Sequence, residues 1–393
     1  MGAVAMFLFK EGSRNAFNLD RKEKTFRKNY ERCFKMQIPH LDATEDVFRL
    51  LKPEELERTK AIFISNLIER KVFHKFKFLG KRYKVTVDAT GVISYNHQHC
   101  EECCFKTSKN DVKTWFHNVL EAKLVTSNGF CISLASEWIA NSEIDYKKQD
   151  CEQTAFKRLA KKLKSYFPRL PIVILADGLY PNQTFFEICK SNNWNFIVTF
   201  EDGNLPTIWQ EINLLPASAK RTHENIRYEK NKKISKKYSI CNNLYYNKYT
   251  INWAECIEEI ENIKTKEIQL SRFVYVTDIK LNTKNIEETV KTGRERWKTE
   301  NEGFNEQKNN GYELEHQFSR VSFNAMKNWY LCLQLAHLIN QLTLLAQNIK
   351  ELIEKEKITI KCLWKKLYGT FTFTELSEED IFDSSQGRIQ VRF

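Results

Sequence analysis

The feature that most limits what this chain can fold into is an unbroken apolar run. Ile172-Val-Ile-Leu-Ala176 is entered through Pro171 and stopped by Asp177-Gly178. A strand with one wet face alternates apolar and polar residues, whereas a continuous β-branched run is buried on both faces. Such a strand needs helices on either side, so the expected class is α/β.

The flanking segments supply those helices. Phe156, Leu159, Ala160, Leu163 and Phe167 recur at helical spacing, and Pro168 ends the pattern. The opposite face carries Lys157, Arg158, Lys161, Lys162 and Lys164. A second helix is expected from about Asn182 to Ser191, then a strand from Phe196 to Phe200. Upstream, Tyr83, Val85 and Val87 alternate with Arg82, Lys84 and Thr86, a strand that ends at Asp88. Trp115–Val125 and Phe130–Ile139 read as two more strands, turned by Ser127-Asn128-Gly129. Three antiparallel strands followed by α-β units imply a mixed sheet with helices on its faces.

Residues 203–285 interrupt this order with strand-like runs at Tyr238–Tyr246 and Arg272–Ile279. One continuous helix is expected over about 284–309 and another over 317–350. The first 75 residues or so look helical and basic. There, Asp42 and Glu45 suggest a capping box ahead of Val47, Leu50 and Leu51. Pro53 suits the first turn of a helix with Ile62, Phe63, Leu67 and Ile68 on one side. The expected division is a helical N-terminal region, basic enough to bind DNA (1–78), a first core segment (79–202), a β-rich insertion (203–285), a second core segment (286–316) and a helical C-terminal region (317–393).

Composition narrows the class. With 42% hydrophobic and 13% aromatic residues, the chain can bury a large core, which excludes intrinsic disorder. The 62 Lys+Arg against 50 Asp+Glu leave +12, an excess that suits nucleic acid or an acidic membrane. The apolar opening MGAVAMFLFK is too short to span a bilayer and has no basic residue ahead of it. Trp329–Ala346 is broken by Gln334, His337, Asn340 and Gln341, so it reads as a buried helix and no membrane partner is expected. Eleven Cys in a long chain are most simply reduced thiols in a cytoplasmic protein.

Asp88 and Asp177 each stand where a buried strand ends, the place where sheets present chemistry. Their strands are expected to be neighbours, which would bring the carboxylates together. Asp at a strand end is also a common turn residue, and Asp177-Gly178 suits that role too. On the helix expected at 284–309, Ile286, Val290, Trp297 and Phe304 form a stripe. Glu300 falls within roughly 40° of its centre at about 100° per residue, whereas Glu295 and Glu302 lie off it and read as solvated. An inward carboxylate is costly unless paired or metal-bound, and Arg296, one turn back, is the ordinary partner. Three inward carboxylates suit two Mg²⁺ ions (or Mn²⁺) and phosphodiester chemistry.

These residues carry a resemblance. VDATG (87–91), ILADGLYPNQ (174–183) and RERWKTENEGFN (294–305), followed by GYELEH (311–316), resemble the DDE transposases of bacterial insertion sequences. The likeness is to the subgroup whose RNase H-like fold is split by a β-rich insertion. The long interval from Asp177 to Glu300 agrees with such an insertion, and the likeness runs from Gly12-Ser-Arg-Asn-Ala16 to Arg388-Ile-Gln-Val-Arg-Phe393. The resemblance implies an RNase H-like mixed sheet flanked by helices, with Asp88, Asp177 and Glu300 as the catalytic, metal-binding triad. It further implies a homodimer that cuts double-stranded DNA at terminal inverted repeats and joins the 3′ ends to target DNA, located in the bacterial cytoplasm and on the nucleoid. The subgroup places a Tyr seven residues before the Glu, an Arg four before it and a Lys seven after it. Arg296 matches; the Tyr position is Gly293, and the Lys position is Gln307 with Lys308 adjacent. The departures leave open whether a hairpin intermediate forms. Two other readings stay open: a nuclease on the same fold without strand transfer, and an inactive transposase-derived DNA-binding protein.

Two further clusters stand out. Lys220, Arg221, Arg227, Lys230, Lys232, Lys233, Lys236 and Lys237 interleave with Tyr228 and Tyr238, a pattern for phosphate contact and base stacking or simply a solvated loop. Cys100-x-x-Cys103, with His99 and His117, has zinc-ligand chemistry. No second CxxC or HxxxH pair accompanies it, so a polar excursion with reduced thiols is the alternative. Glu152 is expected to favour the N-terminus of the basic helix.

Overall fold

The computed structural model describes residues 1–141, 148–216 and 219–386; the C-terminal motif at 388–393 lies outside them. Five helices come first: α1 (Gly2–Leu8), α2 (Arg14–Asp20), α3 (Lys24–Phe34), α4 (Leu41–Leu50) and α5 (Pro53–Glu69). The sheet strands β1 (Tyr83–Tyr95), β2 (Cys104–Thr107), β3 (Lys113–Val125) and β4 (Cys131–Ile139) follow. Then come α6 (Glu152–Tyr166), β5 (Ile172–Ala176), α7 (Gln183–Ser191), β6 (Asn195–Thr199) and α8 (Pro206–Leu214).

Four long strands fill the interruption: β7 (Arg221–Glu229), β8 (Lys232–Tyr246), β9 (Tyr249–Asn262) and β10 (Ile268–Thr277). After them stand α9 (Ile286–Arg294), a π-helix (Thr299–Asn305) and α10 (Glu306–Asn309). The chain continues through α11 (Phe323–Leu344), α12 (Gln347–Glu356), α13 (Ile360–Phe373) and α14 (Glu378–Gln386).

All the strands join one mixed sheet in the order β2-β3-β1-β5-β6-β10-β9-β8-β7, with β4 also on β3. β1, β5 and β6 run parallel, as α6 and α7 crossovers require. The inserted strands do not stand apart, because β10 pairs antiparallel with β6.

The apolar run behaves as its pattern demands. Ile172, Ile174 and Ala176 pack on the α6/α7 side with Phe156, Leu159 and Phe185. Val173 and Leu175 pack on the other side with Ile286 and Val290 of α9. At about 1.5–3 kcal/mol per fully buried aliphatic side chain, the two faces clamp β5 firmly. The N-terminal helices form a third cluster with α11, in which Phe7, Phe17, Phe48 and Trp329 are buried.

Several expectations are corrected. The helix expected over 284–309 is three pieces, because the chain turns at Glu295-Arg296 and then widens into the π-helix. Trp297, placed on the buried stripe, is 58% exposed, while Glu295, read as solvated, is 8% exposed. A fixed 100° step cannot follow a turn and a π-helix. The N-cap of α4 is His40 rather than Asp42. Glu45 is buried and accepts hydrogen bonds from Trp329 Nε1 (2.7 Å) and Ser319 Oγ (2.6 Å), and Val47 and Leu50 are exposed. On α5, Ile62 and Phe63 are exposed, because the helix docks through Glu57, Lys60, Ala61 and Ile64. The helix at 317–350 is shorter than expected and ends at Leu344. Among the described residues no helix is long and apolar enough to cross a membrane.

Candidate active site

The parallel register sets the first two carboxylates side by side. β1 pairs with β5 through Thr86↔Leu175, so Asp88 and Asp177 each stand two residues beyond the same rung. β5 ends at Ala176 while β1 continues along β3 to Tyr95, so Asp88 sits where β1 loses its parallel neighbour. A crevice opens at such a point in α/β sheets. Asp177 also shapes its turn, accepting from Leu179 N at 2.9 Å, as a turn residue does. A Cβ at Gly178 would come within 2.7 Å of the Glu201 carboxyl carbon, a contact that this exposed side chain can relieve by swinging away.

The third carboxylate is delivered by side chains of β1. Lys84, Thr86 and Asp88 alternate along the strand and share one face. Lys84 is ion-paired with Glu295, both buried. Thr86 Oγ1 is hydrogen-bonded to Thr299 Oγ1. Arg296 Nη1 lies 3.2 Å from Asp88 Oδ2. Three rungs of one strand therefore grip the segment from 295 to 299, and Glu300 follows directly. Arg296 also faces the ring of exposed Trp297, 5.2 Å from its centroid.

The electrostatics agree that the carboxylates are grouped. Burial pushes Asp88 up to about 6, against Arg296 and the Ala89 N–H, and the charges of Asp177 and Glu300 push it the same way as burial. The oxygens of Asp88, Asp177 and Glu300 do not all lie within 4.8 Å of one another. Arg296 supplies the cation closest to Asp88.

A fourth carboxylate was missed as a site residue. Glu152 opens α6 as expected for a helix N-terminus, yet its Oε1 also accepts from Tyr180 Oη at 2.7 Å. Burial raises its proton affinity, and Asp177 and Asp88 add to that. The available signal was topological: α6 runs back against β5, so its first turn returns to the end of β5 where Asp177 stands.

The departures from the resemblance have structural reasons. At Gly293 a Cβ would come within 2.5 Å of the Tyr275 ring, so β10 places an aromatic where the subgroup's Tyr would begin. Gln307 is fully buried, its Nε2 donating to Gln334 Oε1 at 2.9 Å. Lys308 points to Glu315, 3.0 Å away.

The basic residues are less free than their density suggests. Arg158 is held by Asp150 (2.5 Å) and Glu137 (2.7 Å), and Lys162 by Glu57 and Glu137. Residues 221–237 form the β7–β8 hairpin, where Arg227 pairs with Glu229 and Lys236 with Glu258. Lys232 is exposed and Lys233 half-buried; Tyr228 is exposed, but Tyr238 is in the core. Cys100, Cys103 and His117 converge at the far end of β1, whereas His99 Nε2 lies 3.0 Å from the Arg320 carbonyl oxygen.

No protein-family model matches the chain, and none of the curated proteins does. Among solved structures, a cryo-EM structure of a piggyBac transposase synaptic complex with hairpin DNA matches with a TM-score of 0.34 at 9% identity. The match covers 78% of this chain and 55% of that one, so the chain spans about half its length. A likeness this loose assigns neither a family nor a function.

Proposed function

We propose that this chain is a DDE-type DNA transposase with an RNase H-like core. It would cleave strands at the terminal inverted repeats of an insertion sequence and join the 3′ ends to target DNA. The observation that carries this reading is the parallel rung that sets Asp88 beside Asp177, with Thr299, the residue before Glu300, bonded to Thr86 of β1 and the Glu300 charge acting on Asp88. The antiparallel strands β1, β3 and β4, with the short β2 at their edge, followed by the parallel β5 and β6, support the RNase H-like layout.

The donor set suits Mg²⁺ or Mn²⁺ in kind: every group is a hard oxygen, and burial, reinforced by the charges of Asp177 and Glu300, raises Asp88, which a bound cation would offset. Asp88, Asp177 and Glu300 would hold two ions, which activate an attacking oxygen and stabilise a leaving one. Arg296 would leave Asp88 to bind a DNA phosphate, and Trp297 beside it offers an exposed face to a base. Arg227, Lys232 and Lys233 of the β7–β8 hairpin, and Lys308, would add backbone contacts. The working form would be a homodimer on DNA in the bacterial cytoplasm.

A second reading, a metal-dependent nuclease that does not join strands, is favoured by one observation. The signature Lys position is a buried Gln307, and Lys308 is paired with Glu315. A joining assay separates the two. DNA carrying the sequences that flank the gene on both sides is incubated with Mg²⁺ and a target plasmid. Joined products support transposase; end cleavage without joining supports the nuclease. Binding without cleavage overturns both in favour of an inactive DNA-binding protein.

A further inference from the structure

We propose that Cys100, Cys103 and His117 form a zinc site that staples the excursion after β1 to the body of the sheet. The strand register builds it. β2 pairs with β3 through Cys104↔Phe116, which sets the preceding Cys103 beside His117. Cys100 is returned to the same place by a tight turn, in which Cys103 N donates to Cys100 O at 3.3 Å.

The three donor atoms form a nearly regular triangle. Cys100 Sγ and Cys103 Sγ are 3.5 Å apart, and each is 3.3 Å from His117 Nε2. A tetrahedral zinc with Zn–S of about 2.3 Å and Zn–N of about 2.0–2.1 Å has S···S edges of about 3.8 Å and S···N edges of about 3.6 Å. The triangle therefore needs to open by only about 0.3 Å to become one face of that tetrahedron.

The chemistry of the surroundings favours the same reading. Cys103 and His117 are fully buried, both cysteines are free thiols, and thiolate sulfur and imidazole nitrogen are donors that zinc prefers. His117 is stacked on Phe323 with ring centroids 3.9 Å apart, which holds its Nε2 toward the sulfurs. Its Nδ1 has no hydrogen-bond partner, while Nε2 faces both sulfurs and the Glu102 backbone N–H is directed at Cys100. Thiols are weak hydrogen-bonding groups and would not by themselves hold such a cluster. His99 is engaged by the Arg320 carbonyl and stacks on Tyr95, so the fourth position is left to water on the half-buried Cys100 side.

The staple would tie three elements: the β1–β2 turn through both Cys, β3 through His117, and the start of α11 through Phe323. Lys327 of α11 already lies 4.1 Å from the Phe323 ring centroid and 3.5 Å from Glu102, which sits between the two Cys. The inference is independent of the proposed DNA chemistry.

Elemental analysis of the full-length protein, purified without chelator, tests it. The expected result is one zinc per chain, lost in Cys100→Ser and retained in Cys151→Ser, whose thiol is exposed elsewhere. Cys100 is half-buried, so its substitution is expected to leave a folded protein by circular dichroism. Exchange with Co²⁺ is expected to give sulfur-to-cobalt charge-transfer absorption in the wild type alone of the pair wild type and Cys100→Ser. The proposal is overturned if folded wild type holds no zinc and takes up no cobalt, or if Cys100→Ser keeps its zinc. Finding Cys100 and Cys103 joined as a disulfide in the purified protein would also overturn it.

Discussion

Arg296 and Asp88 form an ion pair, with Nη1 3.2 Å from Oδ2, at the point where β1 loses its parallel neighbour. The guanidinium therefore competes with any cation for a carboxylate that burial and the charges of Asp177 and Glu300 push up. On this account, Arg296→Ala binds Mn²⁺ more tightly than wild type in calorimetry, while its DNA cleavage falls. Weaker Mn²⁺ binding in that variant would show that Arg296 supports the metal site rather than competing with it.

The buried Lys84–Glu295 pair fixes the turn that aims Arg296 and Glu300. Removing one partner strands a charge, at a cost of about 3–5 kcal/mol. Lys84→Met should lose stability on that scale in urea unfolding. Lys84→Met combined with Glu295→Leu should recover most of the stability but not the DNA cleavage, because the turn is no longer pinned.

Gly293 accommodates the Tyr275 ring, and an added Cβ would approach it to 2.5 Å. Gly293→Ala should therefore destabilise by about 1–3 kcal/mol, the usual range for overpacking. Adding Tyr275→Leu should relieve part of that loss. Equal thermal midpoints for wild type and Gly293→Ala would refute the close approach.

Glu11 gives a pH signature away from the site. Burial, then the charge of Asp20, pushes its carboxyl up to about 7 from an ordinary 4.5. The folded state thus holds the proton more tightly than the unfolded state. The stability this contributes is full below about pH 4.5 and is lost as pH rises through about 7. Glu11→Gln should flatten the fall in thermal midpoint over that window. An unchanged pH profile would show that the group titrates normally.

Asp177 was legible because a doubly buried apolar run and the strand end after it have local signatures, whereas the strand expected to end at Asp88 runs on to Tyr95, with Asp88 opposite Glu121 on β3. Glu300 was singled out by an apolar stripe that the structure does not keep, since Trp297 is exposed and the helix breaks at Glu295-Arg296. The grip on it comes from Lys84 and Thr86, some two hundred residues away in sequence, and no periodicity reports a remote partner. β7 was invisible for another reason: Arg221–Glu229 is mostly exposed and polar, so it has no apolar alternation to read. Glu152 was legible as a helix N-terminus, but its nearness to Asp177 follows only from how α6 returns to β5.

The central claim is that Asp88, Asp177 and Glu300 form one metal-dependent cleavage centre. The most direct measurement is Mg²⁺-dependent nicking of DNA bearing the sequences that flank the gene, by wild type and by Asp88→Asn, with binding to the same DNA measured in parallel. The account predicts that Asp88→Asn binds DNA as wild type does but nicks it roughly a hundredfold more slowly or worse. Nicking by Asp88→Asn at the wild-type rate would contradict it.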